Sequence, residues 1–112
     1  MPHSDHLSDF ELYVMLAVAA LGDNAYGVSI LTRIEERTAR TVSIGAVYAT
    51  LGRLAEKGFL AFHISDPEPV PGGRSRKLVT LTPAGARALR QTTDALLRML
   101  DGAQLKPAGN RQ

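Results

Sequence analysis

The chain of 112 residues contains no cysteine and no tryptophan, and its aromatic residues are limited to three tyrosines and three phenylalanines. Without cysteine the protein forms no disulfide bond, no thiolate metal site and no covalent intermediate on sulfur. Proteins of a reducing compartment rarely carry disulfides, and we therefore expect a cytoplasmic protein.

Long apolar runs are missing as well. The longest, Leu12 to Leu21, covers about half of the ~20 residues that a membrane-spanning helix requires, and the N-terminus lacks the basic start of a signal peptide. Because 45% of the residues are nonetheless apolar, the chain is large enough for one hydrophobic core and too small for two. We expect a single domain.

Sequence patterns of catalysis and metal binding are absent too. The chain has no nucleophile with a plausible base, no glycine-rich phosphate loop that opens a helix and no paired carboxylates in a defined site. Its three histidines, His3, His6 and His63, are not spaced as metal ligands are, and a metal site needs several convergent ligands. We expect neither an enzyme nor a bound metal or cofactor.

Charges of opposite sign are segregated along the chain. The first 32 residues contain four acids and no lysine or arginine, whereas residues 74–90 contain five basic residues and no acid. The simplest interpretation of a basic run is a solvated surface, and a contact with nucleic acid is the alternative. The net charge of +2 does not decide between them.

Capping signals and apolar periodicity predict four helices and two strands. Ser8 and Glu11 have the spacing of a capping box, Ser43 is suited to N-cap the third helix, and Thr82 precedes a proline. After Gly58 the helical period stops, and aromatic and apolar residues follow, as in a strand. The first two predicted helices are Asp9 to Leu21 and Tyr26 to about Thr38. The third is capped by Ser43 and ends before Gly58, and the fourth is capped by Thr82 and extends from Pro83 to about Leu100. The predicted strands are Phe59 to Ile64 and Arg76 to Leu81.

This order predicts a mainly α fold with a small β-hairpin, of the α+β class. Three helices followed by a hairpin form the winged helix-turn-helix, in which the third helix enters the major groove of DNA and the hairpin loop reaches the flanking backbone. We expect a DNA-binding domain at residues 1–82, a C-terminal dimerisation helix at 83–100 and a disordered tail at 101–112.

The two faces of the third helix differ in composition. One face is apolar and is predicted to be core: Ile44, Val47, Leu51 and Leu54. The opposite face carries Gly45, Ala49 and Gly52, flanked by Tyr48 and Arg53. Because each interior glycine costs a helix up to ~1 kcal/mol, small residues here indicate that something approaches closely. A DNA groove fits, with Tyr48 bonding a phosphate and Arg53 a phosphate or a guanine; another protein surface is the alternative.

The segment from Pro71 to Lys77 has the composition of a wing. Two glycines allow close backbone approach, and the three cations Arg74, Arg76 and Lys77 follow within four residues. Combined with the third helix, this segment favours DNA binding.

Apolar residues also predict a dimer. In the fourth helix Leu89 and Leu96 recur at a spacing of seven residues, as do Thr93 and Leu100. The first helix is apolar on all sides, which favours burial between the core and a second subunit. A fourth helix that folds back on its own core is the alternative.

These segments together resemble the PadR family of bacterial transcriptional regulators over roughly residues 7–100. The matching residues are Leu21 to Asp23, Ala25 to Gly27, Val42 to Tyr48, Leu51, Arg53, Leu54, Glu56 to Gly58, Gly73 to Lys77 and Leu81 to Gly85. The resemblance implies a homodimeric winged-helix protein, usually a repressor, with a dimer built by the C-terminal helices. Two departures are that Leu78 and Val79 stand where many members have aromatic residues, and that the chain has a single C-terminal helix, as in the short members of the family. The chain also lacks the tryptophans on which some short members stack planar drugs, which speaks against a drug-sensing role.

The sequence and the resemblance predict a sequence-specific DNA-binding regulator, a repressor that acts as a homodimer on a pseudo-palindromic operator in double-stranded DNA. Two alternatives stay open: a winged-helix protein-interaction module that does not bind DNA, and a regulator with an unidentified small-molecule effector at the dimer interface. The predicted DNA-binding residues are Tyr26, Ser43, Gly45, Ala46, Tyr48, Ala49, Arg53, Arg74, Arg76 and Lys77. The predicted dimer residues are Leu12, Leu16, Leu89, Thr93, Leu96 and Leu100.

Overall fold

The structure is a computed structural model that describes residues 6–67 and 69–106. Its α-helices are α1 (Asp9–Leu21), α2 (Gly27–Thr38), α3 (Ile44–Glu56) and α4 (Pro83–Leu100), and its strands are β1 (Leu60–Ile64) and β2 (Lys77–Leu81). A short 3-10 helix, Gly22–Asn24, connects α1 to α2. The predicted order and type of the α-helices and strands are confirmed. Of the predicted disordered tail, residues 101–106 contain no helix or strand and residues 107–112 lie outside the described residues, as does His3.

Helix α1 begins at the predicted capping box. The Glu11 N–H donates to Ser8 Oγ at 3.2 Å, and the Ser8 N–H donates to Glu11 Oε1 at 2.9 Å. The second carboxylate oxygen accepts a hydrogen bond of 3.1 Å from Lys57 Nζ at the end of α3. Burial acts to raise the pKa of the Glu11 carboxyl, but the hydrogen bonds from Ser8 and the Lys57 ammonium outweigh it, and the pKa is lowered. Glu11 therefore stays ionised at neutral pH and ties α1 to α3.

Helices α1, α2 and α3 enclose the core. Its most buried side chains include Val14, Met15, Ile30, Ile34, Val47, Leu51 and Leu54. The prediction was wrong for Ile44, whose side chain is 39% exposed, whereas Thr50 is 1% exposed and occupies a core position. At about 100° per residue, Ile44 lies some 20° beyond Leu51 at the edge of the buried arc, which extends in the other direction to Thr50.

Strands β1 and β2 pair antiparallel, with Leu60 opposite Leu81 and Ile64 opposite Lys77. The hairpin and the residues 65–76 that connect its strands are called the wing below. Its base is joined to the start of α2, because the Val79 N–H donates to the Ala25 carbonyl at 2.9 Å. This hydrogen bond sets the position of the wing relative to the helices.

Helix α4 begins on the turn before β1. Thr82 is its N-cap and accepts from the Gly85 N–H at 3.0 Å, while the Thr82 N–H donates to the Phe59 carbonyl at 3.0 Å. Gly85, Ala88 and Leu89 are its buried residues, so only the first two turns pack on the domain. Within the described residues, no helix is long and apolar enough to cross a membrane.

Candidate nucleic-acid interface

The outer face of α3 is exposed along its whole length. Ser43 caps the helix, its Oγ accepting from the Ala46 N–H at 3.1 Å. The exposed residues of this face are Gly45, Ala46, Tyr48, Ala49, Gly52 and Arg53. A methyl group added at Gly45 or Gly52 would meet no atom within 4 Å. The packing of the chain therefore does not require either glycine, and their small size leaves room for a molecule outside it.

Tyr48 lies across the beginning of α2. An added Cβ on Gly27 would lie 2.6 Å from Tyr48 Oη and 2.7 Å from Cζ, so only a glycine accommodates the ring in this position. The ring remains 53% exposed. The phenol thus lies at the start of α2, where backbone N–H groups without an intrahelical partner make the surroundings electropositive.

Arg53 is folded back along α3. Its guanidinium donates to Thr50 Oγ1, one turn earlier in the helix, at 2.9 Å, while the residue as a whole stays exposed. A guanidinium has five N–H donors, and this bond uses one of them. The others are available to a phosphate or to a base edge.

Two of the three wing cations lie over aromatic rings. The guanidinium carbon of Arg76 is 4.6 Å from the centre of the Tyr26 ring, and Lys77 Nζ is 4.3 Å from that of Phe62. Arg74 is exposed and makes no hydrogen bond, ion pair or ring contact with the described residues. Tyr26 precedes Gly27, so Arg76 and Tyr48 meet two consecutive residues of one segment.

Most of this surface comes from two segments of the chain that contain cations and no acids. No acid occurs between Val42 and Leu54, or between Pro69 and Gln91. The outer face of α3 as far as Leu54 and the basic part of the wing therefore lie in acid-free segments, which favours a polyanionic partner, whereas exposed Glu56 places one acid at the C-terminal end of that face.

The predicted dimer residues fall into two groups. Leu12 and Leu89 are buried in the core of the chain itself, at 8% and 7% exposure, and would offer a second copy little area. Leu16, Leu96 and Leu100 are exposed by 40%, 52% and 51%. Half-buried Thr93 donates its hydroxyl to the Leu89 carbonyl at 3.0 Å. Leu97 and Met99, also exposed, add to the apolar surface at the end of α4.

Sequence reasoning did not identify Gly27 and Phe62 as parts of this surface. Gly27 contacts Tyr48, and Phe62 contacts Lys77. Because the two members of each pair are far apart in the sequence, no local sequence pattern predicts these contacts. Among residues 6–67 and 69–106, no three histidine, aspartate or glutamate side chains are grouped so that they could hold a metal ion.

Solved structures share this architecture. A PadR family transcription regulator from Clostridium difficile superposes with a TM-score of 0.66 at 23% identity, covering 84% of this chain and 96% of that one. PadR of Bacillus subtilis, solved in complex with operator DNA, superposes with a TM-score of 0.63 at 20% identity, covering 94% of this chain and 55% of that one. At these identities the likeness establishes the fold.

Sequence comparison establishes the family. Transcriptional regulator Rv3488 of Mycobacterium tuberculosis is 36% identical over 91 residues, which are 79% of this chain and 81% of that protein. The sequence profile of the transcriptional regulator PadR-like family matches residues 15–91. The chain belongs to the PadR-like family of transcriptional regulators.

Proposed function

We propose that this protein is a cytoplasmic, non-enzymatic repressor that binds a pseudo-palindromic operator in double-stranded DNA as a homodimer. The observation that carries the proposal is the convergence of α3 and the wing on residues 26 and 27, through the Tyr48 contact with Gly27 and the Arg76 contact with Tyr26. Both elements that a winged-helix protein uses on DNA thereby form one continuous surface.

The outer face of α3 suits the major groove. Gly45, Ala49 and Gly52 keep that face narrow, so the helix axis can approach the bases closely. Tyr48, at the rim of the face, is placed for a hydrogen bond to a phosphate, and Arg53 has donors for a phosphate or for a guanine. In this arrangement, contacts to the phosphates position the helix and contacts to base edges select the sequence.

The wing supplies charge next to the groove. Arg74, Arg76 and Lys77 are all exposed. Each phosphate that a cation neutralises releases counterions, so binding should weaken steeply as the salt concentration rises. Determination of the bound sequence, by selection from genomic fragments, would identify the operator and the regulated genes.

Replacement of Arg74, Arg76 and Lys77 together by alanine tests the role of the wing. We expect weaker binding to specific and non-specific duplexes alike, because contacts to phosphate do not depend on sequence. The slope of log affinity against log salt should become shallower by about 0.9 for each phosphate that the variant no longer neutralises. Fluorescence anisotropy with a labelled duplex, measured over a salt series, gives both quantities.

A control variant removes the same charge elsewhere. Arg37, Arg98 and Lys106 are exposed and lie outside the proposed surface, so their triple alanine variant should keep the salt slope of the wild type. Equal slopes for the wing variant and the wild type would remove the wing from the interface. If the wild-type protein bound no duplex in a salt-dependent way, the protein-interaction module would be the better interpretation.

The proposed dimer rests on the exposed leucines of α4 and on Leu16 of α1. Leu96 and Leu100 are one turn apart and lie on the same side of α4, beyond the part that packs on the domain. Apolar side chains exposed in this density on a helix of 18 residues are typical of an interface.

Substitution of both Leu96 and Leu100 by glutamate should convert the dimer to a monomer, because four carboxylates would then face one another across a two-fold axis. Sedimentation velocity measures the change. Asp94→Ala, about 160° around the helix from Leu96, is the matched control and should remain dimeric. A dimeric double glutamate variant would show that α4 does not form the interface.

In the operator, we expect inverted half-sites about 10 bp apart or a multiple of that spacing.

A further inference from the structure

The cationic side chains of the wing differ in how far contacts within the protein already restrict their conformations. Arg74 has no partner among the described residues, whereas the Arg76 guanidinium lies over the Tyr26 ring at 4.6 Å from its centre. That distance is within the range of a favourable cation–π contact. Arg76 is nevertheless exposed, so its N–H groups remain accessible to an anion.

The backbone on both sides of this contact is held by hydrogen bonds. The Tyr26 N–H donates to Ser29 Oγ at 3.0 Å, and the Tyr26 carbonyl accepts from the Ile30 N–H at 2.9 Å. On the wing, the Arg76 N–H donates to Ser65 Oγ at 2.8 Å, and the Arg76 carbonyl accepts from the Ser65 N–H at 2.8 Å. The side chain is therefore the only part of Arg76 that is left to be ordered.

A further hydrogen bond fixes the position of the wing relative to the segment that carries Tyr26. The Ala25 carbonyl, adjacent to Tyr26, accepts from the Val79 N–H at 2.9 Å, three residues after Arg76. Ala25 itself is completely buried. The backbone of Tyr26 is consequently held close to that of Arg76 in the protein without DNA, and the ring lies within reach of the guanidinium there.

We propose that Tyr26 is a positioning residue, whose ring holds the Arg76 guanidinium in the orientation that binds a DNA phosphate. This inference rests on the proposed function and refines it, because Tyr26 acts through Arg76 and its own hydroxyl is not needed. An arginine that is already oriented gives up less side-chain entropy when it binds, and the guanidinium stacks on a ring while its in-plane donors stay available.

The test is a comparison of Tyr26→Phe, Tyr26→Leu and Arg76→Ala, with each tyrosine variant also made in the Arg76→Ala background. Tyr26→Phe keeps the ring and should bind the operator as the wild type does. Tyr26→Leu should bind about 2- to 5-fold more weakly, the affinity equivalent of a solvent-exposed cation–π contact. In the Arg76→Ala background, Tyr26→Leu should weaken binding no further, because the cation it positions is absent.

Other outcomes would overturn the inference. Equal weakening in Tyr26→Phe and Tyr26→Leu would mean that the hydroxyl itself contacts DNA. Weakening by Tyr26→Leu of the same size in both backgrounds would mean that Tyr26 acts independently of Arg76. A wild-type protein that bound no duplex would refute the proposed function, and the inference with it. A wild-type protein that bound duplex, with additive effects of the two substitutions, would refute the inference alone.

A second measurement needs no DNA and no destabilised variant. Protons over the face of an aromatic ring shift upfield, so the Arg76 side-chain protons should be shifted in the free wild type and in Tyr26→Phe. Arg74, which has no ring partner, is the internal reference. Random-coil shifts for Arg76 in the folded wild-type protein would overturn the inference even if Tyr26→Leu failed to fold.

Discussion

Ala49→Glu is expected to weaken operator binding by on the order of 100-fold or more while its melting temperature stays that of the wild type. Position 49 is exposed on the outer face of α3, where glutamate is a good helix former. In the complex, the added carboxylate would lie among phosphates, and like charges brought together across an interface cost several kcal/mol. Thermal unfolding and anisotropy on the same sample separate the two effects.

Ala49→Gln is the matched variant, because it adds nearly the same volume without the charge. The difference in operator affinity between the two variants measures electrostatic repulsion by the carboxylate. The loss of affinity that both variants share measures the steric effect of the larger side chain. If Ala49→Glu bound the operator with full affinity, α3 would not be the helix that enters the groove, and the proposed mode of binding would be wrong.

Gly85→Ala is expected to destabilise the fold more than most single substitutions. A Cβ at this position would lie 2.8 Å from the carbonyl carbon of Phe59 and 3.0 Å from its Cα, and closer still to its carbonyl oxygen. These are backbone atoms, held by the hydrogen bond from the Thr82 N–H, and they have no rotamer through which to yield. We expect a destabilisation of about 3 kcal/mol, or a melting temperature lower by some 12–24 °C.

Gly52→Ala provides the opposite result as a control. It is also a glycine within a helix, but a Cβ there has no neighbour within 4 Å. The better helix propensity of alanine should stabilise the fold by up to ~1 kcal/mol. A Gly85→Ala variant that melted at or above the wild-type temperature would contradict the close approach of α4 to Phe59.

The starts of three of the four α-helices were predictable because they are encoded locally. Ser8 with Glu11, Ser43, and Thr82 with the following proline all cap the helices that they predict. A cap involves residues three positions apart, so its signal is present in a short stretch of sequence. The strands were predicted within one residue of their observed ends for the same reason, since glycine and proline bound them.

Features that depend on tertiary docking were not predictable from the sequence. The apolar pattern of α3 does not show that Thr50 is buried and Ile44 exposed, because the rotation of the helix is set by α1 and α2. Ala39, which ends α2 at φ 58°, occupies a backbone region in which glycine is usual, and composition gives no sign of it.

The candidate site was predictable as a set of residues and not as an arrangement. Small residues on α3 and cations in the wing identified which side chains to consider. That Tyr26 meets Arg76, and that Gly27 leaves room for Tyr48, follows only from the docking of the wing and α3 on the start of α2.

The hydrogen bond from Val79 to Ala25 has a consequence for regulation. Together with the bonds from Phe59 to Leu54 and from Thr82 to Phe59, it joins α3, the base of the wing and the start of α2 into one hydrogen-bonded body. A signal that released DNA by folding the wing away would have to break these bonds. In a dimer, rotation of one such body against that of the partner subunit breaks none of these hydrogen bonds. The rotation changes the distance between the two α3 helices, which must match one turn of DNA, about 34 Å. In a repressor built in this way, an inducer would release DNA by changing the distance between the two α3 helices, and each subunit would keep its shape.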